Sequence, residues 1–406
     1  MSASWPRPAA QRVVVVGGSV AGLRAAEGLR RSGYAGEVLV VGAEPHLPYH
    51  RPPLSKEALA SGPDAEALAL PLGRHAQHLT WRLGQRVTSS DLDAHTVTVE
   101  DGSVIDWDGL VVATGLRPRR LELPGPATGR HELRTVEDAV QLRAALVPGT
   151  RLVVVGAGFI GCEVAATARG LGVGVDVVAP EPVPMQQPLQ ADLGRAVQAV
   201  HEREGVRFHL GTLPVGLGGE GRLTSVALDD GREIGADVLL AAVGATPDVG
   251  WLRGNGLDLT DGVLCDDHLR VQGRPDVVAC GDVARFPNLL FDDVPRRVEH
   301  ATMASDTGKQ AGRVLASLLR TGEADGKAFA PVPSFWTDQF ELRIQSFGAV
   351  GLGGEDVRVL EGDLSGEVTV GYHRDDELVG VVCVGMAGRQ RHWHDTIAAR
   401  RPSGAA

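Results

Sequence analysis

Apolar residues in the first half of the chain come in short β-branched runs, each closed by glycines and followed by helical spacing. Val13 to Val16 predicts a strand, then a Gly-rich turn, a helix over about Ala21 to Arg31 and a strand from Glu37 to Val41. The same order returns with a strand from Leu152 to Val155, a Gly-rich turn, a helix over about Ile160 to Gly170 and a strand from Gly174 to Val178. Such runs alternating with helices read as βαβ units on buried parallel sheets. Strands are also expected at Leu110 to Ala113, Val238 to Val243 and Val277 to Cys280, each ending at a glycine turn, and a long helix over Thr302 to Leu319. Beyond Thr321 the pattern changes to alternation, with strands at Arg343 to Phe347, Glu367 to His373 and Leu378 to Val384. That predicts an antiparallel α+β domain near residues 322–400.

A chain of 406 residues with 43% apolar content has room for two or three ordinary cores. No run approaches the roughly 18 apolar residues of a membrane helix. Met1 to Gln11 lacks the apolar stretch of a signal peptide, so residues 1–11 are expected to be a disordered tail on a cytoplasmic protein. The net charge of −11 argues against nonspecific binding of nucleic acid or an anionic membrane. Cys162, Cys265, Cys280 and Cys383 form no CxxC pair and are expected to be buried thiols. No Cys cluster is available for an iron–sulfur or zinc centre, so no metal site is expected.

The first turn is Gly17-Gly18-Ser19-Val20-Ala21-Gly22. Glycines there let the backbone approach a pyrophosphate, whose charge meets a helix N-terminus. Ser19 stands where the fingerprint has its middle glycine, but a strand precedes, a helix follows, and Glu44 sits where a carboxylate accepts ribose hydroxyls. The second turn, Gly156-Ala157-Gly158-Phe159-Ile160-Gly161, matches the fingerprint fully. Its acidic partner is displaced: Ala179 ends the strand and Glu181 follows Pro180. No Arg or Lys lies between Ala179 and Gln190 to meet a 2′-phosphate, so NADH is favoured over NADPH. Two such turns are compatible with two nicotinamide sites, a duplication relic, or one flavin and one nicotinamide. Asp282, after a strand and Gly281, can bond a polyol such as the ribityl of FAD; the same dipeptide also serves in plain turns and helix caps.

Taken together these residues resemble the FAD-dependent, NADH-linked ferredoxin reductases, the putidaredoxin-reductase and dioxygenase-reductase group related to rubredoxin reductase and apoptosis-inducing factor. The resemblance rests on VVVVGGSVAGLRAAEGLR from Val13, RPPLSK from Arg51, VVATGLRPR from Val111 and VVVGAGFIGCEVAA from Val153. VGATPD from Val243, CGDVA from Cys280, VEHA from Val298 and FWTDQF from Phe335 continue it in order along nearly the whole chain. It implies an α/β fold with two Rossmann-like dinucleotide-binding domains, as in glutathione reductase, and a C-terminal α+β interface domain. The FAD domain would be discontinuous, 12–115 and 246–321, with an NAD(H) domain over 116–245 and the third domain over 322–406. FAD is expected against Gly17, Ser19, Ala21, Gly22, Glu44, Arg51, Lys56, Ala113, Thr114 and Gly115, and against Asp282, Glu299, His300, Ala301 and the aromatic plate Trp336. The nicotinamide dinucleotide is expected against Gly156, Gly158, Phe159, Ile160, Gly161, Glu181 and Gly244.

The resemblance also pairs Lys56 with Glu163 at the hydride-transfer site. The chain has 37 Arg and three Lys, so a Lys at position 56, beside two prolines, stands out as a compact cation. The implied activity is hydride transfer from NADH to FAD, then single electrons to a separate [2Fe–2S] ferredoxin serving an oxygenase or P450. The expected state is a monomer or weak dimer. No Cys lies between Gly17 and Ser61, which argues against a dithiol relay. Arg296-Arg297, Arg313, Arg320, Arg389, Arg391, Arg400 and Arg401 are candidate cations for an acidic ferredoxin, although any single one reads first as part of a solvated basic face. His50, Ala179, Ser19 and Ala301 depart from the family pattern, and the last is expected to widen the flavin pocket. An NADH oxidase or quinone reductase, and a non-catalytic NADH-sensing flavoprotein, are the alternatives.

Overall fold

The structure, a computed structural model, describes residues 11–324, 326 and 328–400; most of the expected tail and Arg401 lie outside them. Two five-stranded parallel sheets are built on one plan. The first has the order Val277–Ala279, Gly109–Val112, Arg12–Val16, Glu37–Val41, Thr80–Arg82. The second has the order Val206–Leu210, Gly174–Ala179, Arg151–Val155, Val238–Ala241, Arg130–His131. In both, the strand that opens the unit lies centrally, between the strand after its helix and one from far along the chain. Val13, Val14, Val15, Val153 and Val154 are fully buried, as expected of strands covered on both faces. Each unit also carries a small antiparallel sheet: Val87–Asp91, Thr96–Val99 and Val104–Asp106 in the first, and Pro214–Gly218, Ser225–Leu228 and Glu233–Gly235 in the second. The chain crosses between the units and returns through Leu116–Pro118 and Ala245–Pro247, which pair antiparallel.

Helix Ala301–Thr321 lies along helix Val20–Arg31. The approach is so close that a Cβ at Gly312 would come within 2.1 Å of the Ala25 carbonyl oxygen. The helix ends at Gly322 in the left-handed conformation. A third body follows, an antiparallel sheet ordered Ser334–Gln339, Leu342–Gly348, Glu377–Val384, Val368–Arg374, Val357–Gly362, with helix Gln390–Ala398 against it. Phe335, Ile344, Val370 and Tyr372 share one core with Cys162, Leu189, Leu193 and Val197 from helices Phe159–Gly170 and Gln186–Arg203. Tyr372 also donates its hydroxyl to the Leu189 carbonyl at 2.8 Å. The third body is therefore seated on the second unit.

The predicted elements shift by a residue or two at their ends. Helices Gln186–Arg203 and Val136–Ala145 and the small antiparallel sheets were not anticipated. The second of these helices carries a readable signal: Thr135 and Asp138 form a capping box. All four cysteines are free and buried. Among the described residues no helix is long and apolar enough to cross a membrane.

Candidate functional site

Each Gly-rich turn follows its strand into a helix with the same packing. Gly17 has φ of 123°, and a Cβ there would meet the Ala113 carbonyl oxygen at 2.1 Å; at Gly156 (φ 107°) it would meet that of Ala242 at 2.3 Å. A Cβ at Gly22 would strike the Gly17 carbonyl oxygen at 1.9 Å, and one at Gly161 the Gly156 oxygen at 2.0 Å. The last glycine of each turn thus lets the helix close onto the strand. Neither first turn carries an acid, and Ser19 at the first N-cap makes no capping hydrogen bond. Both helix N-termini leave their amide donors and positive dipole ends for an anion.

The first turn opens into a cavity of about 960 Å³, at the upper end of the roughly 300–1,000 Å³ of ligand pockets. Gly17, Ser19, Ala21, Glu44, Arg51, Lys56 and the run Ala113, Thr114, Gly115 line it. Asp282, Glu299, His300, Ala301 and Trp336 line its other side. Gly22 sits behind the wall. Of the residues expected for the nicotinamide dinucleotide, Phe159 and Ile160 reach the cavity; Gly156, Gly158, Gly161, Glu181 and Gly244 do not. The second cradle is therefore a neighbouring surface that meets the cavity at the start of helix Phe159–Gly170.

The pairing of strand Val277–Ala279 with Gly109–Val112 carries Asp282 to the mouth of the first turn. The Gly281 amide donates to Thr307 Oγ1 at 2.8 Å. Burial pushes the Asp282 carboxyl above its usual range, opposed by the cation of Arg134, 3.7 Å away, and by Arg297. Glu44 is held by Arg51 Nη2 and the Tyr49 hydroxyl. Arg51 also donates to the Arg134 carbonyl at 2.6 Å. His300 caps no helix amide, lies edge-on to Phe335, and is pushed by burial down to about 4. It is neutral near pH 7.

Opposite this wall, Lys56 Nζ lies 3.0 Å from Glu163 Oε1, their side chains 12% and 7% exposed. Glu163 also accepts from the hydroxyls of Ser55 and Thr337. Three parts of the chain meet at one carboxylate: the loop after the first sheet's second strand, the second cradle's helix, and strand Ser334–Gln339. Trp336, on the opposite face of that strand from Thr337, stands 39% exposed at the cavity.

Arg134, Tyr49, Ser55 and Thr337 were missed by sequence reasoning. Arg134 had a signal, lying directly before the capping box. The hydroxyls of Ser55 and Thr337 had none, since their role depends on three distant segments meeting. Among the candidate docking cations, Arg297 needs correction. Arg297 is 11% exposed and bound to Asp261, Glu299 and the Asp282 carbonyl, so it braces the loop that carries Asp282. Arg296 pairs with Asp292, Arg389 with Glu361, and Arg400, 10% exposed, with Glu377. These guanidiniums have local acidic partners, which sequence alone does not show, while Arg296 and Arg389 keep 40% and 52% of their side chains exposed.

The donor set fits FAD. The cradle admits no Cβ at Gly17, the helix start offers free amides, Ser19 Oγ makes no cap bond, and the half-buried carboxylate of Asp282 faces the guanidinium of Arg134. Residues 11–308 match the family model described as pyridine nucleotide-disulphide oxidoreductase, and 334–406 match that described as reductase C-terminal. The chain is 36% identical over 379 residues to the ferredoxin reductase component of chlorobenzene dioxygenase from Cupriavidus sp. (strain PS12), covering 92% of this chain and 89% of that one. It is 33% identical over 379 residues to putidaredoxin reductase of Pseudomonas putida, covering 91% and 87%. Its fold matches the reductase in the covalent putidaredoxin reductase–putidaredoxin complex with a TM-score of 0.87 at 31% identity, covering 97% and 94%. The chain belongs to the pyridine nucleotide-disulphide oxidoreductase family, in the form that carries the reductase C-terminal domain.

Proposed function

We propose that this protein is an FAD-dependent NADH:ferredoxin reductase, passing electrons to a [2Fe–2S] ferredoxin that serves an oxygenase or P450. The observation that carries the reading is the meeting of two dinucleotide cradles at one cavity with the Lys56–Glu163 pair at their boundary. FAD, when bound, supplies the chemistry: it accepts a hydride from the nicotinamide and releases the electrons singly. The protein contributes position and charge. The turn at Gly17 and the start of helix Val20–Arg31 hold the pyrophosphate, Glu44 the adenosine ribose and Asp282 the ribityl, with Arg51 and Arg134 offsetting negative charge. The turn at Gly156 with Phe159 and Ile160 holds the nicotinamide dinucleotide, and Glu181 disfavours a 2′-phosphate. Lys56, fixed by Glu163, places a cation where negative charge develops on hydride arrival. Trp336 and His300 shield the reacting rings from water.

The domain division follows: 12–115 with 246–321 for FAD, 116–245 for NADH, 322–406 as the interface domain, in a cytoplasmic monomer or weak dimer. The names of the relatives, ferredoxin reductase components of dioxygenase and P450 systems, support the acceptor class. The test is NADH-driven cytochrome c reduction across a panel of [2Fe–2S] ferredoxins, beside oxygen and quinones. A ferredoxin that accelerates turnover far beyond either small acceptor is expected. Rapid turnover with quinone or oxygen and none with ferredoxins would overturn the assignment.

A further inference from the structure

Strand Ser334–Gln339 turns Phe335, Thr337 and Gln339 inward, and two of these three inward positions are polar. Polar side chains without exposure cost stability unless hydrogen-bonded. Thr337 is 0% and Gln339 1% exposed, and each faces another part of the chain. Thr337 Oγ1 lies 2.7 Å from Glu163 Oε1, the oxygen that also meets Lys56. Gln339 Nε2 lies 3.0 Å from Thr337 Oγ1, and Gln339 Oε1 lies 2.9 Å from Nε2 of His201, itself 0% exposed on helix Gln186–Arg203.

The protons in this row follow from its first member. An ionised carboxylate only accepts, so the Thr337 hydroxyl proton points at Glu163. Thr337 Oγ1 then accepts from the Gln339 amide, whose oxygen is turned to accept from His201 Nε2–H. His201 Nδ1 is left as a bare lone pair, in keeping with its lack of a hydrogen-bond partner among the described residues. Burial pushes His201 below the ordinary histidine value, so the neutral form that the row requires is the favoured one.

We infer that Thr337, backed by Gln339 and His201, is a positioning residue for the Lys56–Glu163 pair, so that the third body sets where the ammonium sits. This rests on the proposed hydride-transfer role of that pair. Without the hydroxyl, Glu163 Oε1 loses one of its donors and the carboxylate, with its bound ammonium, is free to re-aim. FAD and NADH, held by the two cradles, are untouched.

The test uses the FAD-loaded full chain in anaerobic stopped flow across a range of NADH concentrations. Thr337→Val should lower the limiting flavin-reduction rate about tenfold, the scale of one lost charge-assisted hydrogen bond. FAD content and the half-saturating NADH concentration should stay at wild-type values, and Thr337→Ser should restore the rate. Gln339→Leu should slow reduction less, about threefold, by loosening the second link. Wild-type reduction by Thr337→Val overturns the inference, as does a Thr337→Ser variant equally slow, since packing would then be the cause. If Thr337→Val does not retain FAD, Gln339→Leu decides: slowed reduction supports the row and an unchanged rate refutes it. A wild-type protein whose flavin NADH does not reduce would sink the functional reading itself, whatever the variants do.

Discussion

Replacing Lys56 by Met keeps the aliphatic stem and removes the charge. At 3.0 Å the pair attracts by about 5–6 kcal/mol at an effective dielectric near 20. Desolvating two buried ions costs several kcal/mol each, so the intact pair is nearly neutral for stability, whereas removing one partner costs about 3–5 kcal/mol. Glu163 keeps two hydroxyl donors, Ser55 and Thr337, which places Lys56→Met near the lower end, about 3 kcal/mol. At the reacting centre the loss is larger in kind, because a bare carboxylate opposes the charge that hydride brings. Loss of one preorganised electrostatic group slows chemistry by about a hundredfold to a thousandfold, and the lower figure is expected here because Glu163 already neutralises part of the ammonium. The double variant Lys56→Met/Glu163→Gln removes both charges and should recover about tenfold of that loss, a non-additivity that a double-mutant cycle isolates. The assay is single-turnover flavin reduction by NADH, with thermal midpoints taken at equal FAD saturation. Wild-type reduction by Lys56→Met, or simple additivity in the double variant, would refute the reasoning.

Asp282→Ala should yield protein with little bound FAD, read from the absorbance of the purified chain; wild-type flavin content would exclude the ribityl role. Gly156→Ala, whose Cβ would sit 2.3 Å from the Ala242 carbonyl oxygen, should retain FAD yet raise the NADH concentration for half-maximal reduction more than tenfold. Gly17→Ala should instead lose FAD, and the same defect in both variants would contradict separate cradles. Glu181→Arg should shift the NADH/NADPH ratio of kcat/KM toward NADPH by about tenfold or more, and an unmoved ratio would remove Glu181 from the ribose site. Arg297→Glu should reduce FAD retention through Asp282 and its loop rather than slow ferredoxin reduction selectively.

The central strands of the two parallel sheets were legible because their evidence is local: valine runs, glycine turns and helical spacing within thirty or so residues of each other. The duplication was readable for the same reason. The Lys56–Glu163 contact joins segments over a hundred residues apart and came only through resemblance, although the rarity of Lys pointed to position 56. Ser55 and Thr337 gave no signal, since a hydroxyl beside a carboxylate is visible only once three separate elements fold onto one another. Arg297 misled because its sequence neighbour is also basic, while its partners Asp261 and Glu299 lie before and after it. Surface charge read without the fold counts cations that acids have already claimed.

The account stands on a flavin shared between two nucleotide cradles, and anaerobic titration of the purified protein with NADH tests it most directly. A yellow protein bleached by one equivalent of NADH per bound FAD, and restored to colour by oxidised [2Fe–2S] ferredoxin, is the result predicted. A colourless protein that takes up no FAD, or a bound flavin that NADH leaves oxidised, would contradict it.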